Sequence, residues 1–80
     1  MDTGLLYFDN DKTKTLQETI QGAVDYYVKK YDKRPNLALV HPNMLSQDGR
    51  IKAAFVMDGL TVRPYRPILP GHVWIGMEDK

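Results

Sequence analysis

Residues 15–41, TLQETIQGAVDYYVKKYDKRPNLALVH, decide the fold because they join an amphipathic helix to a strand that is apolar on both sides. In the first part, apolar residues recur at spacings of three, four and seven, which places them on one face of a helix. They are Leu16, Ile20, Ala23, Val24, Tyr27, Val28 and Tyr31. The sequence therefore predicts a helix with one face in the core and the other in solvent.

The predicted helix has a clear start and a clear stop. Thr15 and Glu18 have the spacing of a capping box, in which a hydroxyl and a carboxylate bind amides that the first turn leaves unpaired. Pro35 prevents continuation of the helix, and the lysines near its end offset the partial negative charge of the last carbonyls. We expect the helix to begin near Thr15 and to end near Asp32.

Short strands are predicted on both sides of the helix. Residues 4–8 form the first, and residues 37–41 are a continuous apolar run that is typical of a strand buried on both faces. A strand, a helix and a strand in this order favour a right-handed crossover between two parallel strands of one sheet. Residues 42–49 then make a connection, with one helical turn expected at residues 42–45.

The dipeptide Asp58-Gly59 predicts a hairpin between strands at residues 51–57 and 60–63, because this pair accepts the positive φ angles of a type I′ turn. Counting from the turn places residues 57 and 60, 55 and 62, and 53 and 64 opposite one another. One hairpin face then carries Ile51, Ala53, Phe55, Met57, Leu60 and Val62, and the other carries Lys52, Ala54, Val56, Thr61 and Arg63. A last strand at residues 72–76 completes the sheet.

Together these elements predict one small α+β domain over residues 1–80, in the order β-α-β-β-β-β, with one long amphipathic helix on a small mixed sheet. Eighty residues leave only a narrow margin between burial and chain entropy. The chain has no cysteine, which excludes disulfides and thiolate zinc sites. Packing or a partner subunit must therefore stabilise the fold.

Charge and hydropathy limit the partners and the compartment. The 11 basic and 10 acidic side chains leave a net charge of +1, so no strong overall field favours nucleic acid or anionic membranes. No stretch approaches the ~18 apolar residues of a membrane span, and the first residues lack the apolar region of a signal peptide. The sequence predicts a soluble, cytoplasmic protein with no membrane partner.

No catalytic residue, cofactor or metal site is predicted. His41 and His72 are the two histidines, and neither stands in a recognisable catalytic motif, so both are interpreted as structural or surface residues. The acidic segment from Asp9 begins like a calcium loop, but its glycine position is Lys14 and its last ligand position is Ile20. An enzyme that uses a histidine base is the least favoured interpretation.

The segment at residues 58–76 is the most unusual part of the surface. Pro64, Pro67 and Pro70 are expected to hold its middle extended as a stiff connection that displays Arg63, Tyr65 and Arg66. The same spacing could make a polyproline ligand, but the flanking charges do not fit one.

Trp74 is the only tryptophan, and its position decides how that surface is used. Alternation places Val73 and Ile75 on one face of the last strand and Trp74 with His72 on the other. Trp74 then either packs in a two-sided core or forms an exposed hot spot for a protein partner. The predicted interaction surface consists of Arg63, Tyr65, Arg66, His72 and Trp74.

Basic residues near aromatic ones leave a nucleic-acid-binding module as the alternative, because arginines and aromatics can hold phosphates and stack bases. The residues of this alternative are Lys29, Lys30, Lys33, Arg34, Lys52, Arg63 and Arg66. It predicts an affinity that falls steeply as salt rises.

Several short motifs carry a family resemblance. The helix followed by a proline, the apolar strand ending in a proline, and the motifs at residues 59–62, 69–71 and 74–76 resemble the helix and strand core of tailed-phage major capsid proteins. The likeness covers about residues 15–76, without the long arm and extended loop of a shell subunit. The resemblance implies a phage-derived or assembly-related origin, and that family has no catalytic residues to carry over, so it favours a structural or interaction role. The function predicted is a non-enzymatic interaction or assembly module with an unknown protein partner, including self-association as a homodimer.

Overall fold

The computed structural model describes residues 4–9, 11, 13–47, 50–51 and 54–78. One helix, α1, spans Leu16–Tyr31, and a short 3₁₀ helix spans Pro42–Leu45. The strands are β1 (Gly4–Phe8), β2 (Leu37–Val40), β3 (Ser46–Gln47), β4 (Arg50–Ile51), β5 (Phe55–Met57), β6 (Leu60–Pro64) and β7 (His72–Gly76). The predicted α+β class is confirmed.

The predicted limits and cap of the helix are confirmed. The Thr15 amide donates to Glu18 Oε1 at 2.9 Å, and the Glu18 amide donates to Thr15 Oγ1 at 3.1 Å, which is the reciprocal capping box. At the other end Asp32 has a φ of 57° and its amide donates to Val28 O at 2.7 Å. This left-handed residue terminates the helix.

Five strands form one mixed sheet in the order β1-β7-β2-β6-β5. Strand β7 is antiparallel to both β1 and β2, so β1 and β2 run parallel, as predicted, with β7 between them. Strand β2 is parallel to β6, and β5 is antiparallel to β6. The strand nearest the end of the chain therefore lies near the middle of the sheet.

The hairpin register is confirmed close to its turn. Met57 lies opposite Leu60 and Phe55 opposite Val62, while Asp58 and Gly59 have φ angles of 51° and 79°. The expected strand at residues 51–57 is wrong in its first part, because β5 begins at Phe55 and Ile51 pairs with Ser46 in a separate two-stranded ladder with β3. The predicted pair of residues 53 and 64 includes Ala53, which lies outside the described residues.

The main core fills the space between α1 and one face of the sheet. The predicted core side of the helix is confirmed, and Thr19 is buried with it. On the sheet side, Val62, Val73 and Ile75 are fully buried. All four residues of β2 are buried, which confirms the two-sided burial predicted for that strand. Leu37 and Leu39 point away from the helix, so another part of the chain must bury them on that face of the sheet.

Candidate interaction surface

The face of the sheet turned away from α1, here called the outer face, follows from strand alternation. Because Val73 and Ile75 face the helix core, their neighbours on β7 face outward, and the pairing register extends this assignment to the other strands. The outer face carries Leu6, Phe8, Leu37, Leu39, Val56, Thr61, Arg63, His72 and Trp74. The helix cannot cover these side chains.

One row crosses most of the outer face. Trp74 lies opposite Leu6 on β1 and opposite Leu39 on β2, and Leu39 in turn lies opposite Arg63 on β6. Side chains at such opposed positions are near neighbours on the same sheet face. The row places an aromatic and an arginine, two residue types enriched in interfaces, on either side of a leucine.

Trp74 is half-buried in a second, smaller apolar cluster on the outer face. Its partners there are Leu37, Leu39 and Ile68, which are 3%, 7% and 8% exposed. The indole also lies over Gly4, where a Cβ would overlap Trp74 Cζ2. Of the two positions that the sequence leaves open for Trp74, the structure shows packing in a two-sided core with part of the ring accessible.

The connection between β6 and β7 supplies part of that cover. The Tyr65 amide donates to Val40 O at 2.7 Å, and the Ile68 amide donates to Tyr65 O at 3.3 Å. This turn brings Ile68 onto Leu37 and Leu39. The expectation that the prolines hold this segment extended is wrong, because the chain must turn back to place Ile68 on the sheet.

Three more predicted surface residues can be placed from this connection and the strand before it. Tyr65 is 41% exposed and Arg66 is exposed beside it. Arg63, on β6, is bound by Glu78 at 2.7 Å, with both side chains about half exposed. Glu78 is itself held by Asn36, whose Oδ1 accepts from the Glu78 amide at 2.7 Å. The charge of Arg63 is therefore partly compensated.

His72 stacks against Phe8 at the end of the sheet where β1 stops. Their ring centroids are 4.6 Å apart and their planes are tilted by 38°. His72 Nδ1 lies 3.3 Å from the carbonyl oxygen of Pro70. His41 is bound locally as well, since its Nδ1 accepts from the Asn43 amide at 3.0 Å. Each ring thus has a local contact within its own segment.

The cations of the nucleic-acid alternative are distributed over both sides of the molecule. Lys29 and Lys30 lie in the last turn of α1 and are exposed, and Lys33 and Arg34 are exposed just after it. They belong to the helix layer, whereas Arg63 lies on the outer face. Lys52 lies outside the described residues.

The acidic segment before the helix forms a local network. Lys14 Nζ donates to Asp9 Oδ2 at 2.8 Å, and this bond lowers the pKa of Asp9 and raises that of Lys14. Asp11 Oδ1 accepts from the Thr13 hydroxyl at 2.6 Å and from the Thr13 amide, which lowers the Asp11 pKa. Among the residues that the structure describes, no three His, Cys, Asp or Glu side chains form a group that could hold a metal ion.

The predicted interaction surface left out the large exposed apolar side chains of the outer face. Leu6 is 58% exposed and Phe8 55%, both on the outer face, and Val56 there is 69% exposed. Leu69 is 67% exposed as well, but it lies in the connection between β6 and β7 and not on a strand of the outer face. Alternation in β1 could have found the first two, because Leu5 and Tyr7 pack on the core and their neighbours must face outward.

No protein-family model, no curated protein and no solved structure matches this chain. Within the described part of the chain, neither helix combines the length and the apolar character that a membrane span requires.

Proposed function

We propose that this chain is a non-enzymatic protein-interaction and assembly module, and that its contact surface is the outer face. The observation that carries the proposal is the exposure of large apolar side chains there. Leu6 and Phe8 are each more than half exposed on β1, and among the described residues α1 covers only the opposite face of the sheet. A sheet normally buries its apolar positions against a second layer, and contiguous exposed apolar surface marks interaction sites.

The chemistry of the same face supports a protein partner. Trp74 presents part of its ring beside Leu6, and Arg63 ends the same row. Aromatic and arginine side chains near a desolvated apolar centre supply most of the binding energy in protein interfaces. The resemblance to the core of tailed-phage capsid proteins also favours assembly. The proposal includes a cytoplasmic location, and the lack of cysteine fits such a reducing compartment.

Nucleic-acid binding is the second candidate. It is favoured by four exposed cations at residues 29–34, which lie close together in the chain. It ranks second because Asp32 lies among them and because Arg63 is already paired with Glu78. A phosphate backbone would have to displace that carboxylate to reach the guanidinium.

Amide-shift NMR of the isotope-labelled protein tests both candidates in one sample. The first series dilutes the protein from about 1 mM to about 10 µM, the range in which weak assemblies with micromolar affinity dissociate. The second series adds mixed single- and double-stranded oligonucleotides at low and moderate salt. An assembly module gives concentration-dependent shifts at Leu6, Phe8, His72 and Trp74 that change little with salt.

Two results would contradict the proposal. Saturable oligonucleotide shifts at residues 29–34 that weaken as salt rises would put nucleic-acid binding first. Spectra that do not change over the whole dilution series would argue against assembly through the outer face. A Leu6→Ser, Phe8→Ser double variant serves as the control, and we expect it to lose the concentration-dependent shifts while it keeps the dispersed spectrum of the folded domain.

A further inference from the structure

Strand β1 forms one edge of the sheet among the described residues, and its own five residues provide neither charge nor proline as protection of that edge. In the described residues it pairs with β7 on one side only. Natural edge strands are commonly protected by charges, prolines or bulges that prevent pairing with another chain. The sequence Gly4-Leu-Leu-Tyr-Phe8 contains no charged residue and no proline. This strand is therefore suited to accept another strand.

The backbone groups that face this edge can be identified from the ladder. The Asp9 amide donates to Gly71 O at 3.1 Å, which continues the β1–β7 register as a hydrogen-bonded pair. In an antiparallel ladder such pairs alternate with pairs that are not hydrogen-bonded. Leu5 and Tyr7 therefore bond to β7, whereas the amide and carbonyl groups of Gly4, Leu6 and Phe8 point away from it.

We propose that a second copy of this chain pairs with β1 in antiparallel orientation, across a two-fold axis at Leu6. This inference rests on the proposed function and names the partner and the mode of contact. Leu6 of each copy then lies opposite Leu6 of the partner subunit, and Gly4 lies opposite Phe8 of the partner subunit. Their outward groups form up to about six main-chain hydrogen bonds, and the two sheets join into one.

The side chains on the outer face fit this register. Gly4 has no side chain, and the indole of Trp74 occupies the space over it. Phe8 is 55% exposed. Pairing places Phe8 of the partner subunit next to the indole that covers Gly4, so the largest exposed side chain of the strand meets the position with the smallest residue. The same contact occurs twice, once on each side of the axis.

Two further features favour a copy of the same chain over an unrelated strand. In a two-fold contact between identical charged strands, like charges near the axis repel each other. Strand β1 has no charged residue, so its pairing with a second copy avoids this repulsion. On the helix side, Leu5 meets Tyr7 of the partner subunit, and both already pack on the core of their own domain. In the joined sheet, the apolar side chains on the helix side and those on the outer face therefore each continue from one copy into the other.

Disulfide trapping tests the register directly, because the chain contains no cysteine of its own. Opposed residues of a hydrogen-bonded antiparallel pair have Cα atoms about 5.5 Å apart, within reach of a disulfide. Under mild oxidation, we expect Leu6→Cys to form a covalent dimer at least about tenfold faster than Leu69→Cys. Leu69 is the matched control, since it is a leucine of similar exposure that lies outside the paired strand, in the connection between β6 and β7.

A proline variant tests the backbone contact. Leu6→Pro removes an amide that points away from β7, so it leaves the internal ladder intact. By sedimentation velocity, we expect a concentration-dependent dimer for the wild type and for Leu69→Lys, and a monomer for Leu6→Pro. Far-ultraviolet circular dichroism and Trp74 emission verify that each variant is folded.

Three outcomes would overturn the pairing: a monomeric wild type at every concentration, a folded Leu6→Pro variant that still dimerises, or equal trapping rates for the two cysteine variants. If dimerisation depends on Phe8 and Trp74 but not on the Leu6 amide, the β1 pairing is wrong while the proposed assembly function stands. If the wild type is monomeric and binds oligonucleotides at residues 29–34, both proposals fail.

Discussion

At the scale of single residues, the contact between Gly4 and Trp74 is the most restrictive on the outer face. A methyl group at residue 4 would overlap the indole, which is held from the other side by Leu39 and Ile68. We expect Gly4→Ala to lower the free energy of unfolding by about 1–3 kcal/mol, as overpacking does elsewhere. Urea unfolding measures the loss, and a red shift of tryptophan emission reports the displaced ring.

A double-mutant cycle separates this contact from any general effect on β1. In a Trp74→Ala background the space over Gly4 is empty, so adding Gly4→Ala should cost less than about 0.5 kcal/mol. Equal costs in both backgrounds would show that the alanine acts through the strand itself and not through the indole. Gly59 is an unsuitable comparison, because its φ of 79° strains any side chain.

Sequence reasoning reached these residues only in part. Alternation correctly separated Trp74 from Val73 and Ile75, because the period of two is a local property of a strand. What covers Trp74 depends on a contact with Ile68, in a connection whose prolines favoured an extended chain. Burial of Ile68 stabilises a turn that outweighs the preference of the prolines for an extended chain. The spacing of residues in the sequence does not predict this contact.

At the scale of elements, the capping box of α1 carries a measurable share of the stability. Thr15 Oγ1 accepts from the Glu18 amide, and an alanine at residue 15 would leave this exposed amide to water. We expect Thr15→Ala to lower the free energy of unfolding by about 1 kcal/mol, the usual value for an N-cap residue. Thermal unfolding followed at 222 nm measures the change.

The control for the cap lies two residues further on. Gln17 is exposed in the first turn, and Gln17→Ala should change the stability by less than about 0.5 kcal/mol. A Thr15→Ser variant keeps the hydroxyl and should retain most of the cap energy. If serine and alanine at residue 15 destabilise equally, the hydrogen bond to Glu18 is not the source of the effect.

Elements that depend only on neighbouring residues were predicted correctly. A strand segment that could pair with either of two other strands was not. The cap at Thr15 and the turn at Asp58-Gly59 depend on neighbouring residues, so their spacing in the sequence is sufficient. Ile51 is apolar in the right phase for the hairpin, yet it pairs with Ser46 instead. Periodicity gives the face that a residue prefers but not which of two available partners it takes.

At the scale of the whole molecule, the order of the strands could not be predicted. Strand β7 is inserted between β1 and β2, and its pairing with β1 joins residues that are more than sixty positions apart. Local patterns carry no information about such a pairing. The insertion also matters for the proposed function, because it places Trp74 next to Leu6 on the edge strand β1. The tryptophan and the exposed side chains of β1 therefore lie on one continuous part of the outer face.

The stability of the whole domain should fall in alkali, and Tyr27 supplies a defined part of that fall. Tyr27 is 1% exposed in the core, and this burial, with a smaller contribution from Tyr31, raises its pKa above the ordinary 10.0. Above pH 10 the unfolded chain loses this proton more readily than the folded one. The contribution is therefore fully present below pH 10.0 and is lost as the pH rises towards the folded pKa.

Replacing the phenol by a phenyl ring isolates this contribution. Tyr27→Phe keeps the packing, so it should change the free energy of unfolding by less than about 1.5 kcal/mol at neutral pH. It should also flatten the decline in stability that begins near pH 10.0. Tyr26→Phe makes the same chemical change on the solvent side of the helix, and we expect it to keep the wild-type slope. Urea unfolding at a series of pH values measures all three proteins. A Tyr27→Phe slope as steep as that of the wild type would mean that the alkaline loss arises elsewhere in the domain.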